Sequence, residues 1–189
     1  MSKTTKTMKK IGNMNGKRFL LLLISCLLLC GAQAQVKWHT INEAAAAKIG
    51  SRLYFVDFYT SWCGYCKKMD RETFSDSTVA KLLNRYYYPV KFDAEMHSTV
   101  NWFGKTYHPS TNSRNRQHEF ARGLQGYPTF GLFRADGTPM QAIPGFYSAS
   151  DFVVVLWYFA SGDCDKYPFE RYRQIFNKEI RPIMEEQLK

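Results

Sequence analysis

Hydrophobic and polar positions alternate along the chain in blocks that read as strands and helices. Leu53-Tyr54-Phe55-Val56-Asp57-Phe58-Tyr59 is an apolar, β-rich run bounded by turn residues, the pattern of a buried central strand. Tyr86 to Asp93 reads as a second buried strand, and Val36 to His39 as a short edge strand. Thr40 with Glu43 forms a capping-box signature ahead of a helix over Ala44 to Lys48, closed by Gly50. Thr60 to Tyr65 is a turn, and Cys66 to Met69 opens a helix running toward Phe74. Ser75-Asp76-Ser77 breaks that helix and caps a new one over Val79 to Arg85. Thr129 to Phe133 and Met140 to Ile143 read as strands paired through the turn Ala135-Asp136-Gly137-Thr138. An amphipathic helix follows over Ser148 to Phe159. A charged helix over Lys166 to Lys189 closes the chain, with Pro168 near its start and Pro182 interrupting it.

Between Ala94 and Arg122 the pattern is weakest. Val100 to Tyr107 is expected to be helical, His108 to Gln117 a loop, and His118 to Arg122 a last helical turn. The order of elements predicts an α/β domain, a mixed sheet with helices on both faces.

The first 34 residues do not fit that order. Six basic residues and no acid precede the apolar run Phe19 to Cys30, and Ala32-Gln33-Ala34 supplies the small residues of a cleavage site. This is the plan of a secretory signal peptide, with cleavage after Ala34 and Gln35 as the new N-terminus. The apolar run is short for a membrane span. Leu23-Ile24-Ser25-Cys26 loosely resembles a lipobox, so a lipoprotein anchored through Cys26 is the competing reading. The expected division is a leader over 1–34, a domain over 35–162 and a helical extension over 163–189.

The leader changes the meaning of composition. The 189-residue chain carries a net charge of +10, but without the leader's six basic residues the remainder stands at +4. The basicity belongs largely to the export signal, and nothing points to nucleic acid. Apolar residues at 45% with 22% charged residues describe a globular chain. Of five cysteines, Cys26 and Cys30 leave with the leader, so Cys63, Cys66 and Cys164 remain. Three are too few for a disulfide scaffold, and a zinc site would need a second ligand pair that Cys164 and four scattered histidines do not supply.

Trp62-Cys63-Gly64-Tyr65-Cys66-Lys67 stands after a strand and opens a helix. There the first thiol meets unpaired N–H groups at the positive end of a helix dipole, which favours its thiolate. The spacing lets Cys66 resolve a mixed disulfide formed on Cys63, and Lys67 and Lys68 add positive charge. Cys63 is expected to be the more exposed thiol and Cys66 the shielded one. Cys164 lies between Asp163 and Asp165, whose carboxylates oppose its ionisation, so it is expected to be inert or partner-linked. His108 and His118 read as loop residues. Arg114, Arg116 and Arg122 read as a solvated face able to steer an acidic partner.

Val56 to Lys67 resembles the active-site strand and loop of the thioredoxin superfamily, and Gly126-Tyr127-Pro128-Thr129 resembles its second signature, the cis-proline loop. The stretch Cys66-Lys67-Lys68-Met69, Phe74-Ser75-Asp76 and Val79 is similar to bacterial exported thioredoxin-like proteins and to the C-terminal domain of the membrane electron carrier that reduces periplasmic partners. The resemblance covers Lys37 to Phe159. It implies a thioredoxin fold with Cys63 as nucleophile, Cys66 as resolving thiol and Asp57 as the buried acid that takes the Cys66 proton. It implies a cis Tyr127-Pro128 bond packed against Cys63, with the Tyr127 backbone offered to an extended substrate and Trp62, Gly64 and Tyr65 forming the rim. The chain departs from simple thioredoxin in the 94–122 insert before the cis-proline loop, in the C-terminal extension and in the Gly-Tyr dipeptide. That dipeptide also resembles the periplasmic disulfide isomerases, whose separate N-terminal dimerisation domain is lacking.

The resulting expectation is a monomeric, exported oxidoreductase of protein disulfides, needing no metal or small cofactor and reset by a redox partner. A disulfide isomerase or oxidase, or a non-catalytic binding module, are the alternatives.

Overall fold

The computed structural model describes residues 34–189. The leader, its cleavage site and the Cys26 alternative lie outside the described residues, apart from Ala34 itself. Four strands form the central sheet: β1 (Leu53–Tyr59), β2 (Tyr87–Asp93), β5 (Thr129–Phe133) and β6 (Pro139–Pro144). Their order is β2-β1-β5-β6, with β1 and β2 parallel and the other pairs antiparallel. The expected edge strand at Val36 to His39 contributes a single bridge, His39 to Val90. The His39 amide donates to the Pro89 carbonyl and the Lys91 amide to the His39 carbonyl.

Alternation along β1 sorts its side chains into two cores. Phe55 faces a cluster with Phe74, Phe130 and Phe152. Tyr54, Val56 and Phe58 face the opposite cluster with Ile41, Phe92 and Trp102. On the Phe55 face lie α2 (Gly64–Glu72), α3 (Ser77–Tyr86) and α4 (Ala149–Ala160). Asp76 caps α3 as expected, its Oδ1 accepting the amides of Thr78 and Val79. On the other face lie α1 (Ile41–Ala46), which carries the Thr40–Glu43 capping box, and the 94–122 insert.

The insert is not helical at its start. Val100–Trp102 (β3) and Lys105–Tyr107 (β4) form a two-residue hairpin. Phe103 and Gly104 both have positive φ, 47° and 80°, as the tight hairpin turn requires. Trp102 and Phe103 fix it. The Trp102 indole donates to the Gly137 carbonyl, and the Phe103 ring fills the space a Gly137 side chain would need. The expected last helical turn is present as a 3₁₀ turn at Glu119–Ala121. His118 lies in the loop that enters this turn, as expected, but it is buried rather than solvated. Fully buried, its Nδ1 accepts the Phe120 amide and its Nε2 faces the Ser98 carbonyl, and burial pushes its pKa down.

Beyond α4 the chain continues through a 3₁₀ turn at Asp163–Asp165 into α5 (Phe169–Ile175), a π-helical turn (Phe176–Ile180) and α6 (Arg181–Gln187). Pro182 lacks an amide and crowds the carbonyl four residues back, and the wider π turn just before it accommodates both defects. The seven residues Phe152 to Tyr158 of α4 are all buried. One side of that helix packs on the sheet, and Tyr172, Phe176 and Met184 of the extension join the same core from the other. Among the described residues no helix is long and apolar enough to cross a membrane.

Candidate active site at the start of helix α2

The turn between β1 and α2 places both cysteines. The Cys63 amide donates to the Thr60 carbonyl at 3.2 Å, and Cys63 then caps α2 from a β-region backbone. Its Sγ accepts the Cys66 amide at 3.1 Å, so the sulfur occupies the position of a capping oxygen among the free N–H groups of the first turn. Cys63 and Cys66 form a disulfide with their Cα atoms 5.3 Å apart. Both cysteines are buried, at 5% and 3% exposure. The expected contrast between an exposed and a shielded cysteine is therefore slight in this oxidised form.

Asp57 shares the Phe55 face of β1, the side on which α2 lies. It is 1% exposed, and one carboxylate oxygen, Oδ1, has no hydrogen-bond partner. The other receives the Lys91 ammonium at 2.7 Å. Burial raises the Asp57 pKa to about 6 against the opposing pull of Lys91. Lys91 sits directly beside Asp57 in the parallel β1–β2 register and also pairs with Asp70 of α2 at 2.5 Å. Burial lowers the Lys91 pKa, but the two carboxylates outweigh it and the net direction is upward. The Trp38, Tyr59 and Phe74 rings surround its ammonium at 4.8, 5.1 and 5.2 Å. Lys91 is a site residue that the sequence reading missed.

The rim residues divide into two groups. Trp62, 60% exposed, stands edge-on to the Tyr127 ring at 6.3 Å, which joins the dithiol turn to the cis-proline loop. Tyr65, 63% exposed, leans the other way toward Phe146 at 6.2 Å, and Lys68 covers Phe146 from 4.4 Å. Phe146 is a second residue not anticipated. Gly64 opens α2, and a side chain there would meet open space. The Tyr127-Pro128 bond is cis. The Pro128 carbonyl accepts the Gly145 amide, whereas among the described residues neither the amide nor the carbonyl of Tyr127 has a hydrogen-bond partner.

Cys164 is a free, half-buried thiol beside α4. Burial pushes its pKa up, with Asp165 adding to the effect, so desolvation exceeds the carboxylate repulsion read from the sequence. Among the described residues no group of three or more His, Cys, Asp or Glu side chains is arranged to hold a metal ion.

The chain is similar to known proteins in sequence and in structure. Thiol:disulfide interchange protein DsbD of Vibrio vulnificus strain CMCP6 is 26% identical over 118 residues, 59% of this chain and 17% of that protein. The chain thus spans about a sixth of the length of the curated relatives it matches. The structure titled DsbH oxidoreductase superimposes with a TM-score of 0.50 at 16% identity, covering 82% of this chain and 95% of that one. A putative disulphide-isomerase from Bacteroides thetaiotaomicron gives a TM-score of 0.48 at 26% identity, covering 67% and 95%. Residues 41–160, which contain every candidate site residue, match the thioredoxin-like domain family, and the chain belongs to that family.

Proposed function

We propose that the protein is an exported thiol:disulfide oxidoreductase that reduces or exchanges disulfides in protein substrates. The observation that carries this reading is the Cys63–Cys66 disulfide at the start of α2, with the buried Asp57–Lys91 pair on the same side of the sheet. In the reduced form the Cys63 thiolate attacks one sulfur of a substrate disulfide. A Cys63–substrate bond forms, the substrate S–S bond breaks, and the second substrate sulfur leaves as a thiolate that takes up a proton. Cys66, after giving its proton to Asp57, attacks Cys63 Sγ. The mixed disulfide breaks, the first substrate sulfur leaves, and the Cys63–Cys66 bond forms. Two electrons have moved to the substrate. An external dithiol partner returns the pair to its reduced state, and no metal or small cofactor enters.

Each group suits its step. The capping position of Cys63 favours its thiolate. With a pKa of about 6, Asp57 is mostly ionised at neutral pH, yet basic enough to accept a thiol proton. The unpaired Tyr127 backbone can add a strand-like hydrogen bond to an extended substrate. The basic, apolar and small-residue order of the leader supports export to a compartment where disulfides persist. Reduction of insulin by the protein in the presence of a dithiol, and its loss in Cys63→Ser, is the expected result. Equal activity in Cys63→Ser would refute the proposal.

A further inference from the structure

The insert meets the dithiol site along one open groove of about 340 Å³. Trp62 and Tyr127 of the active site line it together with Glu95, Leu124 and, as its insert wall, the loop over residues 114–117. Three contacts hold this wall in place. The Gln117 amide donates to the Leu124 carbonyl and to the Tyr127 hydroxyl, both at 3.1 Å. Arg116 pairs with Glu95 at 3.0 Å. Asn112 Oδ1 accepts the Arg114 amide at 2.9 Å, which shapes the start of the wall. The insert is thereby tied to the loop that presents the unpaired Tyr127 backbone.

The charges of the groove's lining do not cancel. Arg116 is balanced by Glu95, but among the described residues Arg114 has no carboxylate partner and is exposed. Asp93, the other acid near Tyr127, keeps its charge but lies outside the lining, with its Oδ1 accepting the Glu95 amide at 2.9 Å. An extended polypeptide paired with the Tyr127 backbone projects alternate side chains to opposite sides, one of which is this groove. A carboxylate fits there, since it meets the unbalanced guanidinium in the planar geometry arginine favours.

We propose that the insert is a specificity wall, and that Arg114 selects substrate polypeptides carrying Asp or Glu beside the cysteine that Cys63 attacks. The inference rests on the dithiol reading above and names the substrate class of the same site. Its size is that of one exposed ion pair, about two- to fivefold in rate constant, declining as salt shortens the screening length.

The test uses disulfide-closed synthetic peptides that differ at one position, Glu, Gln or Lys, with that position stepped along both sides of the cysteines. The full chain is reduced beforehand, and single-turnover second-order rate constants are measured. At one or more positions the wild-type protein is expected to favour Glu over Gln and Gln over Lys, by about two- to fivefold per step at low salt. Arg114→Gln flattens the series and Arg114→Glu reverses it. Failure to distinguish Glu from Gln at any position, or the same preference in Arg114→Glu, overturns the inference. Uncharged 2-hydroxyethyl disulfide separates the two levels. Wild-type reduction of it without reduction of any peptide overturns the inference alone, and failure on both overturns the dithiol reading as well.

Discussion

Asp57→Asn removes a charge that the fold holds out of water. Asparagine keeps the shape of the side chain, and Lys91 keeps its contact with Asp70. The Asp57 pKa stands at about 6 in the native protein against 3.8 for a free side chain. That difference of about two units corresponds to about 3 kcal/mol at pH values above 6, and it already includes the attraction of Lys91. A raised pKa means that the native state binds the proton more tightly than the unfolded chain. Between about pH 4 and 6 the native state therefore carries the excess proton, and stability falls as pH rises through that window. Urea unfolding of the oxidised protein, followed by fluorescence at steps from pH 4 to 8, measures the effect. Asp57→Asn is expected to gain on wild type by about 3 kcal/mol between pH 4 and pH 8. The fixed offset from exchanging an acid for an amide cancels in that comparison. A difference that is flat with pH, or that shrinks as pH rises, refutes the desolvation argument.

Lys91→Met leaves Asp57 to burial and the like charge of Asp70, so its pKa rises further and the pH midpoint of the Cys66 resolving step moves upward; a pH profile of single-turnover rates reads the shift, and an unmoved midpoint contradicts the pairing. Phe176→Ala opens a void beneath the C-terminal extension and is expected to cost about 3–5 kcal/mol in urea unfolding, whereas a loss under about 1 kcal/mol means that the extension is not part of the core.

The central features were legible because local sequence carried them. The run Leu53 to Tyr59 needs no partner to be recognised as a buried strand, and the cysteine pair that follows it, set in a turn ahead of a helical pattern, places both thiols at a helix start. Asp76 and Thr40 acted as caps within four residues of their own positions. Lys91 was missed because its role depends on register. Within Tyr-Pro-Val-Lys-Phe it reads as an interruption of a strand, and only the parallel alignment of β1 and β2 sets it beside Asp57. The hairpin at Val100 to Tyr107 was misread for a related reason. A bulky residue at positive φ is no turn signal, and Phe103 adopts that backbone where its ring packs against Gly137. His118 reads as an ordinary loop residue, and its burial was not legible because the carbonyl it faces, at Ser98, lies twenty residues away. The helix over Ser148 to Phe159 reads as amphipathic, with one face left to solvent, whereas all of Phe152 to Tyr158 is buried because Tyr172, Phe176 and Met184 of the extension join its core.

Trapping the covalent intermediate tests the dithiol account most directly. Cys66→Ser, reduced and mixed with a disulfide-bonded protein substrate, retains the attacking thiol but lacks the resolving one. Mass spectrometry is expected to find a mixed disulfide on Cys63 that persists until dithiothreitol is added, and none in Cys63→Ser. A mixed disulfide on Cys164 alone, or the absence of any adduct with Cys66→Ser, would contradict the account.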